Sequence, residues 1–227
     1  MEINYIGDGI DAVVIDNFYS EEQLKEIMFE LKWLTKKSVL VGADKTAVAE
    51  NEHGALANKT GIFLEKVFIN ASHSALITHP MTNLLKPEVR NKIESFNSLY
   101  RILYSCNTRT HLLSYYEEDG YYQPHWDSSV FTMLNWFNTE PKNFAGGNNI
   151  LFSSNSDKQA EVEFRNNRVV IIPGCCFHEV KPIAMNSKEP QYSGNGRYCN
   201  SMFMMLGGNN PPVAGPPQMG QTHTQKR

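Results

Sequence analysis

The chain has 227 residues, which suffices for one compact domain with its own core but not for two comfortable ones. Its net charge of −3 gives no field that would draw it to nucleic acid, and no apolar run is as long as a membrane span. The first residues lack the basic and apolar regions of a signal peptide, and the four cysteines show no C-x-x-C spacing. We therefore predict a cytoplasmic protein with reduced thiols and with neither nucleic acid nor a membrane as a partner.

The first part of the chain predicts a short strand followed by a helix. Residues 12–15 are a mostly β-branched run that is typical of a strand. Ser20 and Gln23 form a capping-box pattern, and apolar residues then recur at helical spacing over 21–34. These two signals together predict an amphipathic helix over 21–34.

Two further segments precede the β-rich half. Residues 36–58 are polar and rich in Gly and Ala, without a clear period, and predict a loop over the surface or over the mouth of a site. A second helix is predicted between residues 80 and 100, where Pro87 suits the first turn.

After Tyr100 the chain alternates short β-rich runs with turn residues. The predicted strands are 101–105, 110–116, 121–127, 130–137, 149–152, 160–164, 169–172, 176–181 and 198–206. This order predicts a mainly β fold with flanking α-helices. We predict one domain over 1–206, with helical support in 1–100 and the β core in 101–206, and a disordered Pro/Gly-rich tail over 207–227.

One motif indicates metal chemistry. His125 and Asp127 flank Trp126, and His178 follows about fifty residues later. Residues i and i+2 of a strand point to the same side, so His125 and Asp127 can converge on one ion while Trp126 points away. Two imidazoles and one carboxylate leave coordination positions open, as in non-haem Fe(II) oxygenases, whereas a structural zinc site closes all four. The competing interpretation is a set of structural side chains without a metal.

The residues around this motif resemble the Fe(II)/2-oxoglutarate dioxygenases, closest to the prolyl 4-hydroxylase type. The matching stretches follow the family's order and are residues 116–127, 132–138, Gly146-Gly147 before Phe152, Pro173-Gly174 with 178–182, and Gly196-Arg197-Tyr198. The resemblance implies a double-stranded β-helix, a jelly roll of two facing sheets with helices against one of them.

The resemblance also implies a set of site residues. His125, Asp127 and His178 would hold Fe(II), and no catalytic residue is expected beyond this metal centre. Arg197 would bind the far carboxylate of 2-oxoglutarate, and Ser201, four residues on, would place a hydroxyl on the same carboxylate.

Two more co-substrate positions follow from the resemblance, and two further residues are candidates from their place near the site. Tyr116 stands at a tyrosine that contacts the co-substrate, with Tyr115 as the alternative if the alignment slips by one, and Trp136 stands near the co-substrate where the family often has Tyr. Tyr122 and Arg109 are candidate substrate contacts.

Two departures from the family pattern matter. Residues 185–194 look inserted, so that Arg197 lies nineteen positions after His178 instead of about ten, and Lys181 and Lys188 are alternatives to it. Asn148-Asn149 follow the glycine pair where the family often has Thr or an apolar residue, which would reshape the floor of the pocket.

The function that follows from the resemblance is Fe(II)- and 2-oxoglutarate-dependent hydroxylation, with a prolyl residue of a peptide or protein as the favoured substrate. The reaction consumes O2 and releases succinate and CO2, and ascorbate is a further candidate cofactor. The alternatives are the same chemistry on a free amino acid or small metabolite, and a metal-free jelly-roll binding module. The sequence predicts no oligomeric state.

Overall fold

The computed structural model describes residues 1–52 and 54–207. Four α-helices lie in its first half: α1 Glu21–Leu34, α2 Ala75–Leu84, α3 Pro87–Phe96 and α4 Tyr100–Leu103. None of the described helices is both long and apolar enough to cross a bilayer. His53, His223 and all of the predicted tail except Gly207 lie outside the described residues.

The strands of the described residues are numbered in chain order. They are β1 Glu2–Ile6, β2 Ala12–Asp16, β3 Val41–Gly42, β4 Glu50–Asn51, β5 Gly54–Ala55, β6 Ala57–Asn58, β7 Thr60–Phe63, β8 Thr108–Tyr116, β9 Tyr121–His125, β10 Phe131–Phe137, β11 Phe144–Gly146, β12 Asn149–Phe152, β13 Gln159–Val162, β14 Arg168–Pro173, β15 His178–Val180, β16 Ile183–Met185 and β17 Arg197–Met205.

Two antiparallel sheets form the body of the fold. The larger has the order β1-β2-β14-β10-β17-β8-β7-β3, and the smaller has the order β13-β12-β15-β9-β6. Two short strand pairs, β11 with β16 and β4 with β5, lie beside them. The expected mainly β fold with flanking helices, a jelly roll of two facing sheets, is confirmed.

Strand alternation places the two cores on opposite faces of the larger sheet. In β10, Met133 belongs to the core that also contains the buried residues of the four helices, whereas Leu134 belongs to the core shared with the smaller sheet. In β14, Val169 and Val170 divide in the same way. Because successive side chains of a strand point to opposite faces, β10 and β14 pack against the helices on one side and against the smaller sheet on the other.

The predicted helix over 21–34 is confirmed, including its cap. Gln23 N–H donates to the Ser20 hydroxyl, and the Gln23 side chain accepts from Ser20 N–H. The reciprocal bonds satisfy backbone donors at the open end of α1.

Two predictions between residues 80 and 105 were wrong: one in the bounds of a helix, and one in the type of element. The predicted helix over 80–100 is three helices, of which α3 does begin at Pro87, while Pro80 lies inside α2. The predicted strand over 101–105 overlaps the helix α4, whose residues Tyr100 and Leu103 lie one turn apart and are both fully buried in the core that contains the other helices.

The predicted loop over 36–58 is largely irregular but contributes short strands. Of these, β6 pairs with β9 and so extends the smaller sheet next to the predicted metal ligand His125. Sequence patterns also missed β1, β7, β11 and β16, since strands of three to five residues carry little periodicity.

A partly buried ion pair joins two strands near one edge of the larger sheet. Arg168 Nε and Nη2 donate to the two carboxylate oxygens of Asp16 at 2.6 and 2.8 Å, and Arg168 Nη1 donates to Glu163 O at 2.7 Å. These bonds join β2, β14 and the turn before β14, and they hold the pKa of Asp16 below its ordinary value.

We expect Asp16→Asn to lower the free energy of unfolding by about 2–3 kcal/mol at neutral pH, because it leaves the buried guanidinium without its counter-charge. Since the folded pKa of Asp16 is the lower one, the stabilisation is complete above the unfolded pKa and is lost as the pH falls below roughly 4. Urea unfolding as a function of pH measures both effects. A variant as stable as the wild type at pH 7, or equally sensitive to acid, would contradict this prediction.

Candidate metal centre

The two histidines face each other across neighbouring strands of the smaller sheet. His125 ends β9 and His178 begins β15, and the two are register partners in this antiparallel pair. Their ring centroids lie 4.3 Å apart. Register pairing therefore brings together two residues that are far apart in the sequence.

Asp127 lies two residues beyond His125, just past the end of β9. Its backbone N–H donates to Gly174 O at 2.9 Å, and Gly174 N–H donates to Val130 O at 2.9 Å. Asp127 Oδ1 is 3.9 Å from His125 Nε2, and Asp127 Oδ2 is 3.7 Å from His178 Nε2. The ligand atoms of the three residues all lie within 4.8 Å of one another.

Gly174 is required by the close approach of two backbone segments. A Cβ atom at this position would lie 1.9 Å from Ser129 O, well inside van der Waals contact. The absent side chain lets the segment that precedes β15 pack directly against the turn that carries Asp127.

The hydrogen bonds of both imidazoles leave Nε2 free for a metal. His125 Nδ1–H donates to Gln123 O at 2.8 Å, and His178 Nδ1–H donates to Cys176 O at 3.0 Å. A carbonyl can only accept, so Nδ1 carries the proton and the lone pair is on Nε2. Burial lowers the pKa of His125 well below its ordinary value, which favours the neutral, ligating form.

A hydroxyl pair holds the carboxylate. Thr132 Oγ1 donates to Asp127 Oδ2 at 2.6 Å, and the hydroxyls of Thr132 and Ser129 are 2.9 Å apart. Nothing in the sequence patterns pointed to Thr132 as a partner of Asp127, because the contact joins the turn after β9 to the start of β10. The bond orients the carboxylate toward the histidines.

Arg197 begins β17 and is fully buried at the same cavity between the sheets. Its Nε donates to Gly147 O and its Nη2 donates to Asn149 Oδ1, both at 2.9 Å. Its guanidinium carbon lies 5.1 to 5.2 Å from the ring centroids of Tyr116, Trp136 and Phe164. Aromatic faces and two acceptors thus fix the group in one orientation.

One nitrogen of this guanidinium has no partner. Arg197 Nη1 is buried and makes no hydrogen bond with any residue that the structure describes. A buried charged donor without an acceptor is costly, so the site is suited to an anion that would complete it. The departure from the family pattern at Asn149 has a role here, since its amide oxygen is one of the two acceptors that hold Arg197.

Of the other predicted co-substrate residues, Tyr116 and Ser201 line the cavity, and Trp136 lies behind its lining. The Ser201 hydroxyl is 3.5 Å from Cys199 Sγ. Trp136 is fully buried behind Arg197, and its indole N–H has no partner. The alternative to Tyr116, Tyr115, faces the helical core instead, where its hydroxyl accepts from the N–H groups of two glycines just before Arg197.

The remaining candidates differ in position. Tyr122 lines the cavity and stacks on the His125 ring with a centroid distance of 3.5 Å. Arg109 is not brought to the cavity: it is exposed, and its guanidinium donates to Cys106 O. Lys181 is exposed and paired with Glu179 at 2.6 Å, and Lys188 is exposed in a separate groove.

Among the polar residues that line the cavity and that sequence reasoning missed are Lys59 and Ser114. Lys59 is the single residue between β6 and β7, and its Nζ donates to Ser114 Oγ of β8 at 2.7 Å. Burial lowers the pKa of the Lys59 ammonium to about 8. The polar, aperiodic segment before Lys59 gave no sign that this lysine is buried.

These residues fit a ferrous ion with an open face. The donor set is two neutral imidazole nitrogens and one carboxylate, aimed at one point, and an ion about 2 Å from each ligand atom can join atoms roughly 4 Å apart. The unpartnered Arg197 Nη1 lies in the same cavity and fits the far carboxylate of a dicarboxylic co-substrate.

Comparison with known proteins agrees with this geometry. Residues 110–199, which hold all three candidate ligands and Arg197, match the family described as 2OG-Fe(II) oxygenase superfamily. The resemblance to this superfamily is confirmed. The match supports an oxygenase that uses Fe(II), 2-oxoglutarate and O2.

Solved structures share the fold at low identity. A prolyl 4-hydroxylase from Pseudomonas putida has a TM-score of 0.59 and 13% identity, covering 87% of this chain and 93% of that chain. A prolyl hydroxylase in complex with a hypoxia inducible factor peptide fragment, from Trichoplax adhaerens, has a TM-score of 0.54 and 14% identity, covering 87% and 84%.

A third similar structure is an oxidoreductase of the 2OG-Fe(II) oxygenase family from Burkholderia pseudomallei, with a TM-score of 0.53 and 11% identity, covering 85% of this chain and 84% of that chain. At these identities the likeness shows a shared fold. No curated protein sequence matches the chain.

We expect Thr132→Val to weaken metal binding about 10- to 100-fold, because it keeps the side-chain shape but removes the donor to Asp127. Anaerobic calorimetric titration with Fe(II) measures the affinity. Thr110→Val is the matched control, since the Thr110 hydroxyl is buried without a partner and its loss should leave metal affinity unchanged. Equal affinities of the Thr132 variant and the wild type would refute the orienting role.

Proposed function

We propose that this protein is an Fe(II)- and 2-oxoglutarate-dependent hydroxylase. The observation that carries the proposal is the convergence of His125, Asp127 and His178 beside a buried arginine with one unpartnered nitrogen. The two kinds of group match the two needs of this chemistry, a metal with open positions and a counter-charge for the co-substrate.

His125 and His178 would bind Fe(II) through Nε2, and Asp127 would bind it through its carboxylate. When bound, the metal and 2-oxoglutarate would supply the oxidation of a substrate C–H to C–OH by O2, with 2-oxoglutarate converted to succinate and CO2. The backbone carbonyls of Gln123 and Cys176 fix the imidazole tautomers, and Thr132 fixes the carboxylate. The protein's own contribution is thus a rigid, pre-oriented ligand set.

Arg197 would bind the carboxylate of 2-oxoglutarate that lies far from the metal. Its position is set by Gly147 and Asn149 and by the rings around it, so little reorganisation is needed when the anion enters. Gly147 has a positive φ of 74°, and a Cβ there would lie 2.9 Å from Arg197 Cδ. This glycine therefore provides both the acceptor and the room for the arginine.

The favoured substrate is a prolyl residue of a peptide or protein. Support comes from the similar structures, two of which are named prolyl hydroxylases, one with a bound peptide. A free amino acid or other small acid is the second candidate, and it is favoured by the buried cation Lys59 in the same cavity. Ascorbate as a further cofactor stays a prediction.

Anaerobic titration of the protein with Fe(II) and 2-oxoglutarate tests the proposal. We expect a weak metal-to-ligand charge-transfer band in the visible, and succinate release that a substrate stimulates. Asp127→Ala should abolish both, because it removes the one anionic ligand. A wild-type protein that binds no Fe(II) would instead favour a jelly-roll binding module.

We expect Arg197→Met to weaken 2-oxoglutarate binding on the order of 100-fold while leaving Fe(II) affinity within a few-fold of the wild type, because the variant strands the far carboxylate without a counter-charge. The charge-transfer band, followed against 2-oxoglutarate concentration, measures the change. Arg165→Met is the control, since Arg165 is an exposed arginine paired with Glu163 at the surface. An unchanged 2-oxoglutarate affinity in the Arg197 variant would show that another residue binds this carboxylate.

A further inference from the structure

A second buried cation, Lys59, lies in the cavity and binds neither the metal nor 2-oxoglutarate in the scheme above. Lys59 is only 8% exposed, and its ammonium lies between Ser114 of β8 and the ring of Tyr122 in β9, 5.1 Å from the ring centroid. All three side chains line the same cavity as the candidate metal ligands. Lys59 links a strand of one sheet to a strand of the other, so the backbone anchors it on both sides.

The ammonium is largely unsatisfied. An ammonium has three N–H donors, and within the described part of the chain the hydrogen bond of Lys59 is the one to the neutral Ser114 hydroxyl. It makes no salt bridge with any described carboxylate. A buried cation that lacks a counter-ion is costly unless a ligand supplies the negative charge.

Lys59 is separate from the position of Arg197. Arg197 lies on β17 and Lys59 directly precedes β7, so the two residues flank β8 on opposite sides. Tyr116 of β8 pairs with Arg197, and Tyr115 pairs with Thr60, the residue after Lys59. Adjacent strands are about 4.8 Å apart, which puts the two backbone positions roughly 10 Å from each other. The two side chains therefore enter the cavity from backbone positions on opposite sides of β8.

The summed charge of the cavity also leaves one positive charge without a counter-ion. Among the described residues that line it, Lys59 and Arg197 are cationic and Asp127 is anionic. Bound Fe(II) would add two positive charges and 2-oxoglutarate two negative charges, so one positive charge remains. In this scheme Arg197 pairs with the far carboxylate of 2-oxoglutarate, so Lys59 carries the positive charge that remains.

We propose that Lys59, supported by Ser114, binds a carboxylate of the primary substrate. This inference rests on the proposed function and narrows its substrate class to molecules with a free carboxylate placed near the hydroxylated carbon. A free amino acid supplies such a group, and so does the C-terminal residue of a peptide. An internal, uncharged prolyl residue leaves Lys59 without a partner.

Binding to the Zn(II) form of the full chain, saturated with 2-oxoglutarate, tests this without catalysis. The probes are free L-amino acids including L-proline, their carboxamides, and a short peptide with proline either internal or at a free C-terminus. We expect at least one carboxylate probe to bind the wild type about 10- to 100-fold more tightly than its amide, as a charge-assisted hydrogen bond allows. Comparison of the free amino acids with the C-terminal peptide identifies the source of the carboxylate.

Lys59→Met and Lys59→Gln should remove this preference while 2-oxoglutarate affinity stays within a few-fold of the wild type. Both remove a buried charge without adding volume, and retained near-UV circular dichroism verifies folding. Lys158→Met, which removes an exposed lysine paired with Asp8, is the matched control and should bind every probe like the wild type.

Three results would overturn the inference. They are equal binding of acid and amide by the wild type, undiminished acid binding by both Lys59 variants, and a loss of 2-oxoglutarate affinity in those variants, which would assign Lys59 to the co-substrate. Failure of the wild type to bind Fe(II) and 2-oxoglutarate is a different outcome and would remove the proposed function itself.

Discussion

The register of β9 against β15 is the constraint on which the candidate site depends. It sets His125 opposite His178, and the backbone bond from Asp127 to Gly174 then sets the carboxylate beside both imidazoles. A one-residue slip of either strand would turn one imidazole to the other face of the sheet, and the ligand set would be lost. Close packing at Gly174, where no side chain fits, opposes such a slip.

The site is also a place where the fold tolerates unfavourable burial. Arg197 has an unpartnered nitrogen, Lys59 has a single neutral partner, and the two imidazoles and Asp127 lie close together without an ion pair shorter than 3.7 Å. Such groups lower stability in the absence of ligands, and the surrounding cores of aliphatic and aromatic side chains offset that cost. The charges are the groups that bound ions and acids would satisfy.

The division of the larger sheet between two cores explains why the site is rigid. Its helical side carries the bulk of the aliphatic packing, and its other side carries the cavity, so strands β8 and β17 are held from behind while they present polar residues in front. Tyr115 shows the coupling directly, because it packs in the helical core while its hydroxyl holds the segment that leads into Arg197. His125, His178 and Arg197 thus lie on well-supported strands, while Asp127 lies in the turn after β9.

The sequence by itself determined the mainly β fold, the capped helix α1 and the motif of His125, Asp127 and His178, because strand alternation, capping and short motifs are local in the chain. Arg197 became a candidate through the resemblance to the Fe(II)/2-oxoglutarate dioxygenases. Only the tertiary structure decided the orienting bond from Thr132, the acceptor role of Asn149 and the burial of Lys59. It also showed a helix, α4, where a strand over 101–105 was predicted. It placed Arg109 at the surface, outside the cavity. The contacts of Asn149 and Lys59 join strands that are distant in the chain, and local patterns carry no record of which strands become neighbours. The Thr132 bond spans five residues, but it depends on how the chain turns between β9 and β10.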